Sequence, residues 1–237
     1  RSDCYKFKHT SMLWIHVLIP LMTVVLFLVY YSVAPWKQDS KISGYFEFIG
    51  ISFPLIISLV CSKAIEQEGQ AGGFQNMLCV VSRAAVWLSK WIVMLLLGIL
   101  SIALAIGIFA VGFKTAPTLM YLKAAGLLIA GSVFLYILHL FVSLQFGRGA
   151  SIGLGIVESL ISALALTGLG DGKWYYLPCT WSARLCDYLV YNWLNPSKPF
   201  GYAEMQKGLV IAIPATIIAF VLSLLWFRNW EGRKTFD

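Results

Sequence analysis

The chain has 237 residues, 59% of them hydrophobic and 12% charged, with a mean hydropathy of +0.78; it is too apolar and too poor in charge for a water-soluble globule. Its net charge of +7 does not indicate a nucleic-acid binder, because the Lys and Arg residues stand between apolar blocks, where they anchor and orient a polytopic membrane protein. The five cysteines, Cys4, Cys61, Cys79, Cys179 and Cys186, lack metal-site spacing. Cys179 and Cys186 share a loop but on a helix would sit about 10 Å apart by rise alone, so all five read as free thiols.

Residues 1–11 are polar and basic with Tyr5 and Phe7 interleaved, which suits the inner headgroup layer. The chain opens on Arg1 without a Met, so a few native residues are expected to precede it, and the first span is expected to serve as an uncleaved signal anchor. That span covers 12–31, and a short loop, 32–45, carries Trp36, Lys37, Asp39 and Lys41. The second span, 46–61, is short for a hydrocarbon core of about 30 Å and contains Pro54, which predicts a kink or a shallow seat.

A polar interval, 62–90, follows, with charges at Lys63, Glu66, Glu68, Arg83 and Lys90. Phe74, Met77 or Leu78, and Val81 recur at helical spacing, so a short amphipathic helix over 66–78 is expected to lie against a surface. Gly69, Gly72 and Gly73 give the backbone freedom to turn just before it. Spans at 84–113, 119–144, 151–169 and 209–227 complete a set of six, with tight hairpins at 114–118 and 146–150. Both termini then share the inner face, where ten Lys and Arg oppose eight outside. The basic ends, Lys6, Lys8, Arg228, Arg233 and Lys234, favour this orientation.

Between spans five and six, residues 170–208 are strongly aromatic. A helix over 181–193 would place Trp181, Leu185, Tyr188 and Leu189 on one face, with Ser182, Arg184 and Asp187 away from it, and lie in the outer interface as a lid. Trp174, Tyr175, Trp181, Arg184 and Tyr188 are also candidates for meeting an amphipathic peptide or lipid headgroups.

Two ionisable residues fall within spans, His139 and Glu158. Charge at mid-span costs roughly 2.5–3.5 kcal/mol on insertion scales. His139 lies nine residues before Arg148 and Glu158 ten after it, so both reach the same depth and are expected to face each other or a shared polar pocket. Gly149-x-x-x-Gly153, Ser151 and Gly155 on span five, with Ala130-Gly131-Ser132 on span four, predict close packing of those two helices.

No phosphate-binding loop is present. Gly170-Asp171-Gly172-Lys173 is followed by Trp174 instead of Ser or Thr. His9, His16 and His139 are dispersed, and no paired carboxylates share a helical face, which argues against an enzyme. A channel would need a filter loop or a repeated polar lining.

Glu68-Gly69, leading through residues 74–78 to Ser82-Arg83 and Lys90, resembles the first cytoplasmic loop of ABC-2 type permeases. That family usually has a Pro shortly before the Arg, where this chain has Val80-Val81-Ser82. FPLIISLVCS at 53–62, QEGQAGGFQ at 67–75, TGLGDGKWYYLPCTWSAR at 167–184 and the opening Phe7-Lys8-His9-Thr10 resemble the G-type permease subunits of lantibiotic-immunity ABC transporters. The resemblance implies an all-α, six-span permease domain of the type V exporter kind in a bacterial plasma membrane, both termini cytoplasmic. It also implies a coupling loop at 62–83 in which Glu66, Glu68, Gly69, Gly72, Phe74, Gln75, Met77, Leu78 and Arg83 meet an ATP-binding subunit, with Phe74 and Met77 as the apolar anchor. The implied partners are two copies of that subunit, a second six-span permease, a lantibiotic peptide and membrane lipids, with no nucleic acid. ATP and Mg would reside on the ATP-binding subunit, none on this chain. Two other readings stay open: an ABC-2 exporter of another drug, lipid or glycan, and a structural or sensory membrane subunit without transport.

Overall fold

A computed structural model describes residues 12–79, 81–197 and 200–232; the basic opening read as an interfacial segment lies outside the described residues. The elements are α1 (Met12–Val33), α2 (Gln38–Gln70), α3 (Gln75–Leu78), α4 (Arg83–Gly112), α5 (Thr118–Phe146), α6 (Arg148–Ala165), 3-10 turns at Gly168–Gly170, Trp174–Tyr176 and Pro178–Thr180, then α7 (Trp181–Leu194) and α8 (Phe200–Asn229). Six of them, α1, α2, α4, α5, α6 and α8, are long and apolar enough to cross a membrane. All regular structure among the described residues is helical, as expected where no water is present to satisfy backbone groups.

α2 and α5 form the centre. α6 lies along α2, α1 packs on α4, and α8 flanks α5 and α7. α1 and α8 turn large apolar side chains outward, among them Met22, Leu26, Val210 and Leu222, as lipid-facing helices do.

Several boundaries differ from the sequence reading. The second span is not short: α2 runs unbroken through Pro54 for 33 residues, about 50 Å at helical rise. Its flanking charges looked like loop because hydropathy cannot see their partners. Lys41 donates to the Tyr31 carbonyl at 2.7 Å, Ser43 donates to Glu47 at 2.8 Å and Glu68 pairs with Lys90 at 2.8 Å. The fifth span ends at Ala165 instead of 169. One residue, Gly147, joins α5 to α6 at φ 92°, a conformation that a side chain disfavours.

The small residues serve other contacts than expected. A Cβ on Gly155 would come within 2.4 Å of Ser58 Oγ and 3.0 Å of the Pro54 carbonyl, so α6 is pressed onto α2 there. Gly149 and Gly153 face open space.

The lid helix is not an interfacial one. α7 is buried on nearly all sides, Ser182 and Arg184 included. Added Cβ atoms on Gly50 of α2 and Gly131 of α5 would come within 2.6 Å of Ala183 and Ser182. α7 runs antiparallel to α5: Ser182 bonds to the Leu128 carbonyl, Cys186 to that of Ala124, and Leu189 and Trp193 lie near Met120 and Pro117. Thus α7 starts at about the height where α6, whose 18 residues reach about 27 Å, ends, and runs outward from there between α2 and α5.

Candidate functional site

Three polar stations stand out: an elbow after α2, a pair buried between α5 and α6, and the lid. α2 carries the helix as far as Gln70, so the amphipathic helix expected over 66–78 is instead its last turn, a bend at 71–74 and the four-residue α3. Gly72 and Gly73 take φ of 120° and 59°, and Phe74 follows at 69°, an unfavourable region for a bulky residue. Burial holds it there. Its ring is 4% exposed and lies edge-on to Trp230 at 5.3 Å, with Gly69 close on another side.

Met77 is buried as well. Phe74 and Met77 therefore cannot be the surface anchor expected of them; they fasten the elbow to its own protein. The exposed rim includes Gly72, Gly73, Gln75, Asn76, Cys79 and Val81, with Leu78 half-buried.

Three polar ties connect the elbow to the spans. Glu68 meets Lys90 of α4 at 2.8 Å in a buried ion pair, and Glu66 meets Arg148 at the start of α6 at 2.9 Å, partly exposed. Arg83 donates to the carbonyls of Arg228 at 3.1 Å and Trp230 at 2.9 Å, neutralising the carbonyl end of α8. The elbow is thus in contact with α4, α6 and α8 as well as continuous with α2.

Within the membrane, His139 Nε2 lies 2.8 Å from Glu158 Oε2, and its Nδ1 lies 3.0 Å from Ser151 Oγ. The residues expected to share a depth share a contact. Ser162 donates to the Glu158 carbonyl at 2.9 Å and the Cys179 carbonyl at 2.7 Å, fastening α6 to the segment that leads into α7. Ser151, His139 and Glu158 have the residue types of a nucleophile, base and acid, but all three are buried and so offer no surface for a substrate.

At the lid, Arg184 donates to the Ala165 carbonyl, to the Thr167 carbonyl at 2.9 Å and to Asp171 at 2.7 Å. It thereby caps the carbonyl end of α6. Trp174 is fully buried against Gly208, Trp181 donates to the Tyr175 carbonyl at 3.0 Å, and Tyr188 lies under Arg184. Trp174, Trp181, Arg184 and Tyr188 thus build the lid from within; the exposed aromatic rim is Tyr176, Phe200 and Tyr202, with Tyr175 half-buried. Burial, reinforced by the charge of Glu47, pushes Asp187 up to about 6 against the pull of Arg184. Among the described residues no cluster of His, Cys, Asp and Glu could hold a metal ion.

Sequence reasoning missed Arg148 as the partner of Glu66, Trp230 as the cover of Phe74, and Gly50 as the seat of α7. Arg148 carried a signal, since hairpin and elbow lie at one face. Trp230 and Gly50 carried none.

A family model described as ABC-2 family transporter protein matches residues 1–162. No curated protein and no solved structure matches the chain.

Proposed function

The chain belongs to the ABC-2 family of transporter proteins, and from that premise we propose that it is the permease subunit of an exporter that expels a cationic lantibiotic peptide from the membrane, giving its producer immunity. The elbow carries this reading. A loop whose rim, Gln75 and Asn76, stands exposed while Phe74, Glu66, Glu68 and Arg83 tie it to four spans has the mechanics of a lever for a separate motor. The motor would be an ATP-binding subunit, in two copies, holding the ATP and Mg. A second permease would pack along α6, where Gly149 and Gly153 face open space and Ile156, Leu160 and Leu164 are exposed. The elbow then lies in the cytoplasm of a bacterium with both termini, and the lid lies outside.

The cargo reading draws on the resemblance of residues 53–62 and 167–184 to lantibiotic-immunity permeases and on the aromatic rim, which suits an amphipathic peptide lodged in the outer leaflet. The test is co-purification with the ATP-binding subunit, followed by ATPase measurement in proteoliposomes with and without a lantibiotic. Stimulation by the peptide is expected. Stimulation by another drug, lipid or glycan alone would leave a general exporter, and an ATPase indifferent to every cargo would leave a subunit without a transport role.

A further inference from the structure

At the lid face the outer ends of α4 and α5 part to leave a groove of about 660 Å³, within the range of about 300–1,000 Å³ for small-molecule sites. Its walls are Ala103, Gly107 and Ala110 from α4 and Thr118, Leu122 and Ala125 from α5. A Cβ on Gly107 would meet nothing within 4 Å, so the α4 backbone itself faces the space. Polar groups gather at the mouth, where Lys114 and Thr118 stand. Lys123 stands on another face of α5, near Pro117, Trp193 and Tyr202.

Both lysines are exposed, and among the described residues neither has a carboxylate within ion-pair distance. The mouth also lies at the start of α5, where no side chain caps the free backbone N–H groups, so the helix dipole adds positive potential. The occupant must therefore be apolar along most of its length and negatively charged at one end.

We propose that this groove binds an anionic phospholipid, its acyl chain between α4 and α5 and its phosphate at Lys114. The lipid seals the parted ends of the α4–α5 hairpin.

The test is native mass spectrometry of the full chain, delipidated in detergent and titrated separately with phosphatidylglycerol and phosphatidylcholine. Phosphatidylglycerol should be retained in preference. Lys114→Gln should weaken that retention roughly fivefold, whereas Lys123→Gln, on another face of α5, should change it by less than about twofold. Gly107→Leu starts a side chain from a Cβ position with nothing within 4 Å and directs it into the groove, so the fold should persist while retention falls about tenfold or more. Equal retention of the two lipids, or phosphatidylglycerol binding untouched by Lys114→Gln and Gly107→Leu, overturns the proposal. It is also overturned if Gly107→Leu converts a dimer to a monomer and leaves lipid retention unchanged, which assigns the groove to a second copy of the chain.

Discussion

Replacing His139 with Leu removes the imidazole that stands 2.8 Å from Glu158 Oε2, in a pair whose side chains are 0% and 9% exposed. An ordinary hydrogen bond between membrane helices contributes about 0.6 kcal/mol in double-mutant cycles and at most about 1.7 kcal/mol. Breaking one side of a buried charged pair costs more, about 3–5 kcal/mol, because the remaining charge loses its partner in a medium of low dielectric. Removing either partner alone leaves the other buried and short of a hydrogen bond, although Ser151 still holds the second ring nitrogen of His139. We expect His139→Leu, which strands the buried Glu158 carboxyl group, to cost about 3 kcal/mol. Glu158→Leu, which leaves the imidazole with Ser151 as its partner, should cost about 1–2 kcal/mol. The double variant should cost no more than about 2 kcal/mol, because nothing polar is then stranded. The coupling is accordingly at least about 2 kcal/mol. Reversible unfolding of the full chain in mixed detergent and SDS micelles measures it. A coupling below about 1 kcal/mol, or a double variant as damaging as the two singles together, would refute the reasoning that His139 and Glu158 satisfy each other.

Gly50→Val drives a side chain into the Ala183 backbone, so α7 should be displaced and the buried Cys186 thiol should react with a maleimide. The exposed Cys79 serves as the reactive control, and a Cys186 that stays protected would show that α7 is not seated on Gly50. Phe74→Asp should lower stability by several kcal/mol, on the order of 3–5, by putting a carboxylate under Trp230. Gln75→Arg, on the exposed rim, should leave the melting temperature unchanged and reduce partner ATPase coupling about tenfold; the reverse pattern would remove the elbow from the motor interface. Asp187 lies on α7, outside the six spans, and titrates near 6 in the folded chain against an ordinary 3.8. Its folded value is the higher one, so its contribution to stability is full below pH 4 and is lost as the pH rises through about 6. Asp187→Asn should therefore stabilise the protein at pH 7.5, by at most about 3 kcal/mol, with the difference vanishing at pH 4. Melting curves at the two pH values decide it.

The six apolar blocks were readable because backbone groups in hydrocarbon must bond within their own helix, so length and hydropathy alone identify a span. The meeting of His139 with Glu158 was readable too, for nearly equal rise on either side of Arg148 sets nearly equal depth. Where charge was used to end an element the reading failed: Lys41, Glu66 and Glu68 look like loop residues along the chain, yet their partners at Tyr31, Arg148 and Lys90 let α2 continue past them.

Composition and periodicity thus determined what has to cross the bilayer and which buried ionisable groups need a partner, since both follow from the solvent and the local geometry of one helix. Only the tertiary structure decided which face of the polar segments is exposed. α7 appears amphipathic, yet carbonyls of Ala165, Thr167 and Leu128 satisfy Arg184 and Ser182, and Gly50 and Gly131 leave room for its backbone. Phe74 has the character of an anchor for another protein, yet Trp230, more than 150 residues away in the chain, covers it. A polar side chain is free to lie inside wherever distant groups complete its bonds, and those distant groups are set by packing, which no local pattern records.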